Sequence, residues 1–338
     1  MNEVVDQGRV LVVSVQGALR AAGGRLYGGG GACAAASGKS RRRPPGGGRA
    51  AGCPDRLGSP GSYARPVATP AGSLPIAFLS DYGLADEFVG VVHGVILRLA
   101  PEARVIDVTH GVRRGDVRGG ALALVRAVQY LPPGVALAVV DPGVGTGRRG
   151  VAVATAWGYF VGPDNGVLAP AVAMTGGAER AVSLEDPRFR LPADGVTFDG
   201  RDVFAPAAAV LASGRAAPAD LGPEVPPASL TPMLLPLAEV AEGAVRGEVW
   251  WVDGFGNAQV NVTPDDLRAA GLKPGETVLV DAAGSRREML WASAYGEGRD
   301  GVVHVDSYGM VAVALPGGRA DEAFGLLEGT VVTFGRAR

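Results

Sequence analysis

Four carboxylates fall at the ends of short apolar runs, and they are the residues best placed to do chemistry. Asp81 follows IAFLS, Asp107 sits inside VIDVTH, Asp141 closes VALAVV, and Asp164, with Asn165 and Gly166, follows YFVGP. A single aspartate at a strand end commonly caps a turn, but four at successive run ends bring polar groups toward one crevice. Clustered carboxylates suit a hard divalent cation and phosphate hydrolysis, with Asp81, Asp107, His110 and Asp141 as the set. Yet the only histidines are His93, His110 and His304, and no HxH, HExxH or DxD spacing occurs, so residue type alone supports a metal. The Gly-rich segment DPGVGTGRRG (141–150) invites a phosphate-loop reading. It lacks GKS/T, however, and leads into a strand instead of opening a helix, which leaves a backbone cradle for a ligand open. His93 falls on the apolar face of a helical pattern and reads as packed or capping, His110 as orienting its loop, and Asp202 of GRD as a helix cap.

The elements that must carry these groups alternate in period. IAFL (76–79), RVIDV (104–108), VALAVV (135–140), GVAVATA (150–156) and YFVG (159–162) suit buried strands. EFVGVVHGVILRLAP and VRGGALALVRAVQYLP carry apolar positions three and four apart and stop at proline, so they predict amphipathic helices, with a further helix over 201–213. Helices between buried strands imply a mostly parallel sheet covered on both faces, binding ligands at the carboxyl ends of its strands. Beyond a Pro/Ala/Leu-rich stretch, GEVWWVD, AQVNV, ETVLVD, REMLWAS, GVVHVDS, MVAVAL and TVVTFG predict a small all-β barrel or sandwich. The expected organisation is a disordered tail over 1–74, an α/β domain over 75–225, a linker over 226–243 and a β-barrel domain over 244–338.

Bulk properties narrow the function further. A chain of 338 residues favours two domains, and its formal charge of −2 argues against nucleic acid as a partner. Cys33 and Cys53 are the only cysteines, both within a Gly/Ala/Arg/Pro-rich stretch, so a disulfide framework is not expected and a cytoplasmic location fits. The apolar runs are too short to span a membrane. Residues 10–22 have an h-region-like texture, but Glu3, Asp6 and the single Arg9 make a poor leader. Residues 23–74 cannot bury enough apolar area to offset ordering entropy, and they read as disordered.

The succession LSDYGLADEFVGVVHGVI, VIDVTHGVRRGDVRGGA, VVDPGVGTGRRGVAV, VGPDNGVL, TFDGRDVFAPAAA and VDGFGNAQVNV resembles the S-adenosylmethionine hydroxide adenosyltransferases, relatives of the fluorinating and chlorinating S-adenosylmethionine enzymes. The resemblance runs from about Ile76 to about Phe334. It implies an α/β N-terminal domain joined to a β-barrel, and a homotrimer with substrate held between subunits. Carried over by position, it implies that Asp81 holds the ribose hydroxyls and that Asp141 and Asn165 join it in binding substrate. It assigns Asp253, Phe255 and Asn257 to the methionine ammonium and adenine, Ser307 to the amino-acid end, and Tyr295 and Gly317 to the adenine. The water-activating set it implies is Asp107, Arg114 and Asp199, with Asp199 standing where the hydrolases carry histidine in TFHGRD. The arginine favours water over halide, and S-adenosylmethionine is then the substrate with no cofactor.

The reaction is consistent with these residue types. Attack at C5′ expels a neutral thioether from a sulfonium, so the leaving group needs no proton and the protein supplies alignment, desolvation and a base. A halide-using or impaired homologue, a metal-dependent phosphohydrolase and a non-catalytic adenosine-binding protein are the alternatives. Release of adenosine in the presence of EDTA separates them.

Overall fold

The computed structural model describes residues 10–15, 20–21 and 72–337. The first apolar run, VLVV, forms β1 (Val10–Val13), antiparallel to β2 (Arg20–Ala21) and to the strand Met233–Pro236. This corrects the expectation of a tail disordered throughout 1–74. Val13 and Val15 are each 3% exposed and pack into the core of the α/β domain, an anchor that a run without a visible partner does not announce. The remainder of that stretch, residues 1–9, 16–19 and 22–71, lies outside the described residues.

The α/β domain is built on strands β3 (Ile76–Ser80), β4 (Val105–Thr109), β5 (Val135–Val139), β6 (Gly150–Ala154), β7 (Tyr159–Pro163) and β8 (Arg180–Ser183). Their order is β4-β3-β5-β7-β6-β8, parallel from β4 through β7 and antiparallel for β6 against β7 and β8. β3 and β5 are buried at every position, as continuous apolar runs covered on both faces must be. Helices α1 (Phe88–Leu99) and α4 (Ala205–Ala212) cover one face, while α2 (Val117–Val128) and α3 (Ala169–Met174) cover the other. α2 starts where the Asp116 carboxylate accepts from Gly119 N–H at 2.8 Å. α4 is buried all round and is preceded by a π-helical turn, Gly200–Phe204, a distortion that often marks functional sites.

The chain leaves β3 toward β4 on one side and returns to β5 on the other. That reversal opens a crevice at the carboxyl ends of β3 and β5. Asp81 stands directly after the first strand and Asp141 just beyond the second.

The second domain is a closed seven-stranded barrel of β11 (Ala244–Val252), β12 (Ala258–Val260), β16 (Val311–Ala314), β15 (Val302–Val305), β14 (Ser285–Trp291), β13 (Thr277–Ala282) and β17 (Val331–Arg336), which pairs back onto β11. Closure removes free edges. Two short helices, α5 (Pro264–Ala269) and α6 (Ala320–Phe324), pack on it, the first capped by Thr263 and Asp266. The segment expected as a linker is partly ordered into β9 (Met233–Pro236) and β10 (Glu239–Ala241). Thr231 N–H donates to the Asp164 carboxylate at 2.8 Å, which ties this connection to the α/β domain. The two domains also touch directly, with the Arg126 guanidinium 4.2 Å from the centroid of a Trp251 ring and Arg118 paired with Glu248.

Candidate active site

The crevice is a cavity of about 350 Å³ lined by Asp81, Tyr82 and Phe88, by Asp141 and Val144, and by the segment 195–201 ahead of α4. Its size is that of an ordinary small-molecule site. Asp81 presents one oxygen to the Gly115 N–H at 2.7 Å, leaving Oδ1 without a protein partner among the described residues. Tyr82, Phe88 and Phe198 form a triangle of edge and tilted ring contacts with centroids 5.1–5.8 Å apart. The crevice thus joins acidic groups to aromatic faces, a combination that suits a ligand both cationic and partly apolar.

Arg148, itself outside the cavity lining, connects two of the acids that line it. Its Nε donates to Asp141 Oδ1 at 3.1 Å, its Nη2 contacts Asp141 Oδ2, and Nη2 also donates to Asp199 Oδ2 at 2.7 Å. The Gly-rich loop makes this possible. Gly145 at φ +77° turns the chain back, so that Arg148 returns to the aspartate that opened the loop. The side chains of Asp141, Arg148 and Asp199 are 6, 10 and 20% exposed, so the set is shielded from water. One guanidinium between two carboxylates leaves a formal charge of −1, and Asp202 is neutralised separately by Arg201.

Protonation follows from this crowding. Burial pushes the Asp141 carboxyl above the ordinary aspartate range, with Asp199 adding like-charge repulsion, and together they outweigh the opposing effect of Arg148 and the Gly143 N–H. Burial, followed by the charges of Asp81, Asp141, Asp199 and Asp202, raises the Tyr82 hydroxyl so far that it stays protonated. Gly200 sits against that hydroxyl, where an added Cβ would fall 2.0 Å from the Tyr82 oxygen.

Of the residues singled out in the sequence, the structure brings Asp81, Asp141 and Asp199 together. It does not bring Asp107 and Arg114 to them. Asp107 bonds His93 and His110 at the sheet edge, while Arg114 is exposed and makes no ion pair among the described residues. The arginine that meets Asp199 is Arg148, seven positions after Asp141 as Arg114 is seven after Asp107. Asn165 donates to Val140 O at 2.8 Å and accepts from Val167 N–H, so it braces the turn that carries Asp141.

The barrel residues lie elsewhere, and none of them lines this crevice. Asp253 accepts from the N–H groups of Phe255 and Asn257 and from the Asn257 amide, which folds its own loop and leaves Phe255 81% exposed. Tyr295 packs edge-on to His304 at 4.8 Å, and Ser307 and Gly317 are exposed. Arg148, Tyr82 and Phe198 are the site residues that sequence reasoning missed. A turn-permitting glycine run between Asp141 and Arg148 was the available signal for the first.

A switch-point crevice on an α/β sheet, joined to a closed barrel, defines a two-domain protein that binds a small molecule at strand ends. The chain belongs to the SAM hydroxide adenosyltransferase family, as residues 76–222 match the family's N-terminal domain and residues 247–333 its C-terminal domain. It is 49% identical over 260 residues to the (R)-S-adenosyl-L-methionine hydrolase of Salinispora tropica, which spans 75% of this chain and 95% of that protein. The protein of the same name from Salinispora arenicola is 46% identical over 263 residues, with the same coverage. The crystal structure of an uncharacterized conserved protein from Thermotoga maritima superposes with a TM-score of 0.71 at 34% identity, over 77% of this chain and all of that one.

Proposed function

We propose that the protein hydrolyses S-adenosyl-L-methionine to adenosine and L-methionine. The observation that carries this reading is the Asp141–Arg148–Asp199 set, whose two carboxylates line an acidic, aromatic crevice. Asp81 Oδ1 accepts from the ribose hydroxyls, and the negative field and aromatic walls receive the sulfonium. Arg148 and Asp199 hold a water against C5′. The water oxygen bonds to C5′, the C5′–S bond breaks with its electron pair left on sulfur, and the water proton passes to Asp199. Asp141 keeps the guanidinium in place. This assignment replaces Asp107 and Arg114 with Asp141 and Arg148, and keeps Asp199.

The same arrangement disfavours halide, because an anion entering the crevice meets the net negative charge that Asp141 and Asp199 keep beside Arg148. No step calls for a cofactor. The exposed barrel face of Phe255, Asn257, Tyr295, Ser307 and Gly317 closes the crevice of a neighbouring copy in a homotrimer, where it contacts the adenine and the amino-acid end. No helix among the described residues is long and apolar enough to cross a membrane. The test is incubation with S-adenosylmethionine in ¹⁸O-water. Adenosine carrying the label on its 5′-oxygen, together with methionine, is expected. Absence of both products, with substrate retained, would overturn the hydrolase reading in favour of a binding protein.

A further inference from the structure

The edge of the sheet opposite β8 carries a second cluster that the hydrolytic reading does not use. β4 is the edge strand, and the helix that crosses to it from β3 lays His93 above Asp107. Asp107 Oδ1 lies 2.8 Å from His93 Nε2 and 3.0 Å from His110 Nε2, and the three potential ligand atoms all fall within 4.8 Å of one another. None of the three residues lines the crevice. The alternative set of Asp81, Asp107, His110 and Asp141 is thereby divided, with two members in each place.

We propose that His93, Asp107 and His110 form a binding site for a divalent transition-metal ion. Two imidazoles and one carboxylate on one side of an ion suit Zn²⁺, Co²⁺ or Ni²⁺ over Mg²⁺ or Ca²⁺, which prefer all-oxygen shells. Ligands of a tetrahedral Zn²⁺ stand about 3.3 Å apart for bonds of ~2.0 Å, and the two measured separations lie a few tenths of an ångström inside that. The half-exposed His93 has room to move outward by that amount. The support behind the ligands is that of a built metal site. Ser80 Oγ lies 2.8 Å from His110 Nδ1, so a proton held on Nδ1 leaves Nε2 free to ligate, and the buried Phe78 ring packs edge-on to His110 at 4.6 Å. Asp107 is 46% and His93 35% exposed in their side chains, which gives an ion an entry path and leaves open coordination positions toward solvent.

The experiment is equilibrium dialysis of the untagged full chain against Zn²⁺ at neutral pH, with Cys33→Ser and Cys53→Ser in the background to remove thiol ligands. Co²⁺ absorption is read in parallel. A single Zn²⁺ per chain is expected, weakened about 100-fold by His93→Gln and about 10-fold by Ser80→Ala, with a Co²⁺ visible spectrum that His93→Gln abolishes. Far-UV circular dichroism checks the fold of each variant, and Asp107→Asn, on an exposed side chain, serves if His93→Gln unfolds. Failure of the parent to retain Zn²⁺, or retention unchanged in the folded ligand variants, would overturn the site.

Discussion

Arg148 is the residue on which the catalytic reading turns, because a guanidinium shared by two carboxylates leaves one of them able to take a proton. Asp199→Asn keeps a water-binding amide and removes the acceptor, so kcat should fall by about 100-fold or more at nearly constant KM. Arg148→Ala should cost a similar factor, and the double variant should be little worse than either single one, since the pair acts as a unit. Single-turnover adenosine release measures all three. Asp81→Ala should lower kcat/KM by two to three decades, about 2–4 kcal/mol, through loss of the ribose acceptor. An effect below threefold would place the ribose elsewhere. The raised Asp141 carboxyl adds a pH signature. It loses its charge, and its hold on Arg148, at a pH above the ordinary aspartate value of 3.8, so activity should decline as pH falls through that raised value. Asp141→Asn should flatten this acid limb at a lower plateau.

A π-helical turn sets the crevice's precision, and a strand from far upstream adds to the domain's core. The turn begins at Gly200, and any side chain there collides with the Tyr82 hydroxyl 2.0 Å from the added Cβ. Gly200→Ala must displace either the ring or the turn that carries Asp199, so kcat should drop at least tenfold while the barrel's thermal transition stays in place. β1 is the other case. It pairs with β9, and Val13 with the following Val15 joins the core cluster that α2 and α3 also build. A chain starting at Gly72 should therefore melt several degrees lower than the full chain, having lost two buried valines worth roughly 1.5–3 kcal/mol each before ordering entropy is subtracted. Identical melting curves would mean that the strand contributes no net stability. From sequence alone the same truncation is expected to be harmless.

At the scale of the whole molecule, the crevice and the barrel's exposed aromatic face do not meet within one chain, and assembly is the step that unites them in the proposed function. Phe255→Ala should weaken substrate binding, and Asp199→Asn should block chemistry, each from a different subunit of the same site. Mixed assemblies of these two poorly active variants should recover activity, because some sites then combine an intact crevice with an intact barrel face. Sedimentation analysis should give a trimer. A fully active monomer, or mixtures no better than their parents, would show that each chain builds its site alone.

The chain's own residue pattern determined the layer architecture, because apolar period and proline and glycine punctuation act locally. The runs at 76–79 and 135–140 had to be buried strands, the 3.6-period segments between them had to be covering helices, and the seven short β runs had to form a small barrel or sandwich. Strand-end placement likewise brought Asp81 and Asp141 to the crevice, and Asp199 came with them. What only the tertiary structure decided is which arginine answers those acids and what partners each remaining aspartate takes. Arg114 and Arg148 stand at the same spacing from an aspartate, and only the path of the glycine-rich loop through space turns one guanidinium inward and leaves the other in solvent. The pairing of Val10–Val13 with Met233–Pro236, more than two hundred residues apart, was hidden for the same reason. A contact across that separation depends on the folded surface that both strands share, and neither segment carries it alone.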